Sequence, residues 1–496
     1  MSSPIAILAL SGTEGSPPGC FTRRFPDLPK QGLSNPLLEE GLTELGQALE
    51  DDKDDPPAGS TEFPPSAGYT YLGQFIDHDI TFDLTSLKNA QPVASKTPNF
   101  RTPSLDLDHV YGGGPNLSPF LYQNKRENRQ AERFLIGKTK KSPLAQSTSD
   151  NDVPRNPEGV SLTGDPRQGE NLILEQLHVV FLKLHNWLLD NPNALSLSPH
   201  YTAAGTPFAQ AQRVLRWHYQ WIVLHDFLKQ VLDRTVFSAL MEEEKAGPSD
   251  SAEEFRIPLE FSVAAFRFGH SMVRNGYVLN AHHSHVELSQ LLKLTGRDGI
   301  VSSEMPAQLP EEWKIEWKFF FEVDTPGSAR HSGTFDTRIS RGLFDIPIKV
   351  QKLFSVPVPV PHEELRLPVR TLLRGARVAL PSGQRIAGRL GYEVLSGDRI
   401  KQGSRPEEAR ALEKYHFLDD TPLWFYILKE AEILGKGCRL GPTGSKLIAD
   451  VLLESLRSTP DSYLSAGGNW IPTLPVAKPK DDQRAFAITD LILTVA

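Results

Sequence analysis

The stretch Tyr69–Asp83 reads YTYLGQFIDHDITFD. Leu72, Phe75 and Ile76 give it an apolar helical start, and three titratable residues come next in a row, Asp77, His78 and Asp79. In a helix Gln74 and His78 stand four apart and share a face. Asp77 and Asp79 are then turned about 100° to either side of His78. Three neighbours so arranged cannot all serve one point, so separate tasks are expected of them. Taken alone, the stretch also fits a polar helix end where carboxylates and a histidine meet solvent.

Working outward, long patterns of helical period dominate. Residues 172–190 put Leu177, Phe181, Leu184 and Leu188 on one stripe, and residues 208–232 are apolar on the same period with aromatics throughout. Residues 258–273 open with proline in the first turn and carry Phe261, Phe266 and Phe268. Residues 423–435 and 445–456 also read as helices. Strand signals are few, and WKFFFEV at 317–323 fits a strand or a helix end. The expected fold is mainly α, a single large helical domain over residues 67–496 with long loops and little β. A loop-rich arm over residues 1–66 precedes it, read as solvated from its proline pairs and the acidic run at 51–55. Residues 138–159 read as an exposed loop, and VPVPVP at 356–361 as extended chain.

Composition narrows the function classes. The chain has 496 residues, long enough to bury a large core without covalent staples. Its 53 Lys and Arg against 61 Asp and Glu leave a formal charge of −8, so no global pull toward nucleic acid or anionic membrane is expected. Cys20 and Cys438 are too few for a disulfide framework. No apolar run reaches the roughly 18 residues of a membrane span. The opening MSSPIAILALSG lacks a basic residue before its apolar stretch, so it reads as mature chain rather than a secretory signal. The expectation is a cytoplasmic protein, or one secreted without a recognisable signal peptide.

Three further stretches carry chemistry. In TPSLDLDHVYGGG, oxygen-bearing side chains recur at Thr102, Ser104, Asp106 and Asp108. In extended chain, residues two apart share a side. Such a loop offers several hard oxygens to one Ca²⁺, with Asp79 as a partner carboxylate from elsewhere. It is not an EF-hand, since Val110 and Leu117 stand at the fifth and twelfth positions from Asp106. GDPRQGE at 164–170 places Arg167 and Glu170 three apart at a turn entering the next helix, where an acid also suits the helix N-terminus. His178 and His185 come after it, seven apart, and read as packed histidines. In FSVAAFRFGHSMV, His270 lies among phenylalanines with Arg267 one turn back. A histidine there is costly to bury charged, and neutral imidazole is what a metal needs. An aromatic wall suits a flat apolar cofactor such as heme, and a cation suits its propionate. Alone, the segment equally describes a satisfied core histidine.

In this order, from about Tyr69 to about Leu474, these motifs resemble the animal-type heme peroxidases of the peroxidase–cyclooxygenase superfamily. GCRLGPTGSKLIADVLLESL from Gly437 resembles bacterial members in particular. The resemblance implies heme b and Ca²⁺ as cofactors. It implies His78 as catalytic acid–base with Gln74 and Arg167 beside it, and His270 as iron ligand with Arg267 on a propionate. It also implies Asp77 and Glu170 as acids that form ester links to heme. The calcium ligands would be Asp79, Thr102, Ser104, Asp106 and Asp108. The implied activity is reduction of hydrogen peroxide through a ferryl intermediate, with oxidation of small phenolic, halide or pseudohalide donors and a part in the response to oxidative stress.

Departures from the family pattern qualify this. Asn171 stands where a methionine forms a sulfonium link in myeloperoxidase, so that link is not expected. Thr371 stands where an asparagine usually accepts the N–H of the proximal histidine, which bears on iron potential. Arg267 stands where fatty-acid dioxygenases of the superfamily carry a radical tyrosine. That dioxygenase activity and a non-catalytic binding or matrix protein are the rival readings. Without the resemblance, a non-heme metal hydrolase built on Asp77, His78 and Asp79 stays open.

Overall fold

The computed structural model describes residues 19–31, 37–52, 62–123, 132–249, 254–292, 308–323, 327–344, 366–466, 470–475 and 485–495. The VPVPVP segment lies outside them. The described chain is mainly helical. Its strands are three two-residue pairs: Gly19–Cys20 with Pro98–Asn99, Glu50–Asp51 with Ile339–Ser340, and Gly276–Tyr277 with Val286–Glu287. The mainly α expectation holds. No helix among the described residues is long and apolar enough to cross a membrane.

The helix Leu172–Asp190 is buried along most of its length. The side chain of Asn171 caps it by accepting the N–H of Leu174. Leu174, Leu177, Phe181, Leu184 and Leu188 are fully buried. It packs against helix Gly68–Ile80 on one side and Pro207–Trp221 on another. Phe75 of the first helix stacks on Phe181 at 4.4 Å between ring centroids. This contact seats the helix that carries the Asp-His-Asp run.

Two expected helices are broken by wide turns. The 208–232 pattern is realised as helix Pro207–Trp221, a π-helical segment Ile222–Phe227 and a last turn Leu228–Val231. The 258–273 pattern is realised as a π segment Glu260–Ala264, a tight 3₁₀ turn Ala265–Phe268 and an α turn Gly269–Met272. Ala264, at φ −130° and ψ −66°, marks the break. A π turn adds a residue per turn and so rotates the side chains beyond it, His270 among them. Glu260 is fully buried, and its carboxylate accepts backbone N–H groups from Arg24 and Phe25. That bond ties the segment 19–31 to the core.

The solvated-arm expectation fails over part of residues 1–66. Residues Leu38–Gln47 form a helix that packs against Leu367–Arg377, and Leu42, Leu45 and Leu49 are fully buried. Phe21 and Phe25 are buried as well. The physical reason is periodicity: Leu38, Leu42 and Leu45 recur on one helical face, although loop-like sequence surrounds them. Residues 138–159 are likewise less exposed than expected. Thr139, Asp152 and Val153 are buried, and bridges pair Gly137 with Asp152 and Lys140 with Pro310. Of 317–323, Trp317–Phe319 is a 3₁₀ turn.

Candidate active site

One cavity gathers most of the singled-out residues. Gln74, Asp77 and His78 reach it from helix Gly68–Ile80, Arg167 and Glu170 from the GDPRQGE turn, and Arg267 and His270 from the broken segment. Phe82, Phe227, Phe266 and Phe268 give it aromatic walls. Helix Leu367–Arg377 adds Arg370 and Arg374, to which no sequence motif pointed. They stand four apart and so share a helix face.

The His78 side of the cavity is closely bonded. The Gln74 amide donates to Glu170 at 3.1 Å and accepts from Asn171 at 3.1 Å. His78 Nε2 lies 3.8 Å from the Glu170 carboxylate. His78 Nδ1 lies 3.4 Å from the Gln168 amide nitrogen, while the Gln168 amide oxygen is buried without a partner. The two ends of an amide are nearly alike in shape. Turned over, Gln168 accepts Nδ1–H of His78 and leaves Nε2 as the basic nitrogen. Gln168 is a further residue that the sequence motifs did not single out.

Arg167 is fixed by a carboxylate with no exposure. Asp165 accepts from its Nε and Nη2, and Arg167 Nη2 also donates to the carbonyl of His78 at 3.1 Å. Phe82 lies under the guanidinium, 4.3 Å away. Burial pushes Asp165 up, but Arg167 and Arg101 more than reverse this and hold it well below the usual carboxylate range. Burial raises Asp77, with Arg167 and Arg267 pulling it back; its Oδ1 accepts from the Thr81 hydroxyl at 2.9 Å.

On the His270 side, burial and then Arg267 hold the imidazole down to about 3, so it is neutral. Nδ1 is buried without a hydrogen-bond partner, and none of the hydrogen bonds among the described residues involves Nε2. The ring lies edge-on to Trp424 at 6.0 Å. Thr371 makes no hydrogen bond to it among the described residues; the Thr371 hydroxyl donates within its own helix to Leu367 O, 2.9 Å away. Arg267 Nε donates to the carbonyl of Ser262, and Arg374 donates to Asp83 and to the Thr85 carbonyl. A cavity with a neutral imidazole whose Nε2 has no such bond, aromatic walls and four arginines fits heme, with its iron and two acidic arms.

Asp79 faces a different way from its neighbours, as its turn of the helix requires. It is fully buried and does not line the cavity. Its Oδ1 meets His109 Nδ1 at 2.8 Å, and its Oδ2 has no hydrogen-bond partner. Asp79, Asp108 and His109 bring ligand atoms within 4.8 Å of one another. His109 escapes a reading by sequence because Leu107 adopts a left-handed φ of 63° and the chain turns into helix Asp108–Tyr111. The two-residue alternation of the loop stops there. Gly164 lets the GDPRQGE turn approach, since a β carbon on it would lie 2.6 Å from the carbonyl oxygen of His109.

Burial pushes Asp79 up to about 7, Asp106 up to about 6 and Asp108 up to about 8, and neighbouring carboxylates raise Asp106 and Asp108 further. Arg101 offsets part of this charge, 3.1 Å from Asp108 and 2.5 Å from Asp165. Three crowded carboxyls with an orphaned oxygen fit a divalent cation. The expected ligand set is only partly assembled. The Thr102 hydroxyl donates to Asp106 at 2.8 Å, and the Ser104 hydroxyl accepts from Thr459 at 3.0 Å.

Residues 86–297 match the family model described as animal haem peroxidase. That span takes in Asp106, Arg167, Glu170 and His270 and stops short of Gln74–Asp79. The chain is 28% identical to thyroid peroxidase of Sus scrofa over 188 residues, 35% of this chain and 19% of that protein. It therefore spans about a fifth of that relative's length. The fold resembles a fatty acid alpha-dioxygenase of Oryza sativa, with TM-score 0.61, 14% identity, and 89% and 76% of the two chains covered. It also resembles peroxidase A of Dictyostelium discoideum, with TM-score 0.57, 15% identity, and 90% and 88% covered. Residues 86–297 thus match the animal haem peroxidase family by sequence, and nearly the whole chain shares the fold of these peroxidase and alpha-dioxygenase structures.

Proposed function

We propose that this chain is a heme peroxidase that reduces hydrogen peroxide to water and oxidises small donors, phenolic compounds or halides and pseudohalides. The observation that carries this reading is the single cavity lined by His78, Arg167 and His270 together. Heme, when bound, supplies the redox-active iron at which the peroxide bond is broken. His270 holds the iron, and its neutrality suits it to do so. Arg267, Arg370 and Arg374 hold the propionates. His78 takes a proton from hydrogen peroxide and returns it to the leaving oxygen. Arg167 meets the negative charge that develops there, and Asp165 keeps the guanidinium in place. Gln74 and Gln168 set the position of peroxide and of the His78 ring. Asp77 and Glu170 line the same cavity and are the acids available for ester links to heme. Asp79, Asp106 and Asp108, with Thr102 and Ser104, would hold calcium and so tie the loop over 100–112 to the His78 helix.

Arg267, three residues before His270, speaks against a dioxygenase that needs a radical tyrosine there. The test is turnover of heme-loaded protein with hydrogen peroxide and either iodide or a simple phenol. Saturable oxidation of either donor is expected. Oxygen uptake with an unsaturated fatty acid and no peroxide would identify a dioxygenase. Heme uptake without any turnover would identify a binding protein.

A further inference from the structure

A second pocket, of about 250 Å³, opens beside Ala67 at the start of helix Gly68–Ile80, among residues of 274–278, the pair Ser284 and His285, Phe319, Phe320 and Arg330. Its charged or titratable lining is Arg274, Arg330, His285 and Tyr277; no carboxylate is among the lining residues, and His285 Nε2 meets Glu287 outside them at 2.9 Å. Tyr277 and Phe320 form its aromatic wall, stacked at 6.1 Å and 13°. Arg274 is nearly buried and fixed, its Nη1 donating to the carbonyl of His331 at 3.0 Å. His285 closes one side because Gly276 has no side chain; a β carbon there would collide with the ring. A pocket with two guanidinium groups, an imidazole and a flat aromatic wall suits one aromatic ring bearing an acid group.

This pocket is joined to the first by aromatic rings. Tyr71 lines the heme cavity, and its ring meets Tyr277 of the second pocket at 5.6 Å and Phe320 at 6.5 Å. Tyr71 and Tyr277 are both buried, so the contact excludes water. We propose that the second pocket is a donor site for small phenolic carboxylates, whose electrons pass inward through Tyr277 and Tyr71. The proposal rests on the peroxidase reading above. Each bound phenol gives up one electron along the two rings and releases its phenolic proton to solvent at the pocket mouth. Two phenols are oxidised to phenoxyl radicals for each hydrogen peroxide reduced to two waters, and the two protons released at the mouth are matched by two taken up from solvent in the first cavity, so atoms and electrons balance.

The test separates binding from turnover. 4-Hydroxybenzoate is titrated into heme-free and heme-loaded protein by calorimetry. Saturable binding to both is expected, weakened about tenfold or more by Arg330→Glu, which reverses a charge, and by Ser284→Trp, which fills the pocket. Both positions are exposed, so folding is spared. Tyr277→Phe keeps the ring and the binding, and is expected to lose peroxide-driven oxidation of the probe while iodide oxidation in the first cavity is retained. Binding that neither pocket variant weakens, or an unchanged ratio of probe to iodide oxidation in Tyr277→Phe, overturns the proposal. Failure of the peroxidase reading itself would appear differently, as loss of iodide turnover with binding to heme-free protein intact.

Discussion

Asp79 Oδ1 and His109 Nδ1 meet at 2.8 Å inside the protein, joining the helix that carries His78 to the start of the short helix Asp108–Tyr111. The other Asp79 oxygen is buried without a hydrogen-bond partner, and Asp106 and Asp108 crowd the same region. A divalent cation bound there would relieve that crowding and stabilise the fold by binding the native state alone. Calcium is therefore expected to raise the melting temperature of the protein and chelation to lower it, as read by calorimetry. Asp79→Asn is expected to abolish both responses. A variant that answers calcium as the parent does would remove Asp79 from the site.

His78→Ala should slow the reaction with hydrogen peroxide by about 10²–10⁴-fold while heme stays bound, measured by stopped-flow absorbance. Gln168→Leu should slow the same step by less, because the imidazole remains but loses its partner at Nδ1. Equal rates in Gln168→Leu and parent would show that the amide does not set the tautomer.

Leu42 is fully buried in the helix Leu38–Gln47, which packs on Leu367–Arg377. Leu42→Ala should cost about 2–5 kcal/mol, the usual range for emptying a core leucine site, as read by urea denaturation. The helix on the other side carries Arg370 and Arg374, so the variant should also hold heme more weakly. A change below about 0.5 kcal/mol would mean the segment is a surface arm after all.

Glu430 is fully buried and accepts N–H groups from Thr443 and Gly444 at the start of helix Pro442–Arg457. Burial pushes its carboxyl from an ordinary 4.5 up to about 7, against the pull of those N–H groups. The folded state then binds one more proton than the unfolded state between those values. Its stabilising share is complete below the lower value and is lost as pH rises through the upper one, with a slope of at most about 1.4 kcal/mol per pH unit. Glu430→Gln should flatten this part of the stability curve. The check is denaturation of parent and variant at about pH 5 and about pH 8, and parallel curves would contradict it.

Long buried helices are legible from periodicity alone. Leu172–Asp190 lies where the apolar stripe puts it, because 19 residues of helical period outweigh local exceptions. The break in 258–273 is not legible: a π turn keeps an apolar helical pattern while shifting its phase, so the sequence reads as one helix. In the site, Gln74, Asp77, His78, Arg167, Glu170, Arg267 and His270 come together from separate motifs. Arg370 and Arg374 carry a usable signal, four apart on one face, but nothing local points that face at the cavity. His109 is hidden by an alternation rule that the left-handed Leu107 ends. Thr371 is placed by a family position alone, and its hydroxyl turns to its own backbone.

The measurement that tests the central claim most directly is the absorption spectrum of protein purified from cells supplied with heme precursor, before and after one equivalent of hydrogen peroxide, beside His270→Ala. The account predicts a Soret band that shifts on peroxide addition in the parent and is lost in the folded variant. A folded, heme-supplied parent without a Soret band, or a variant whose band and shift match the parent, would contradict it.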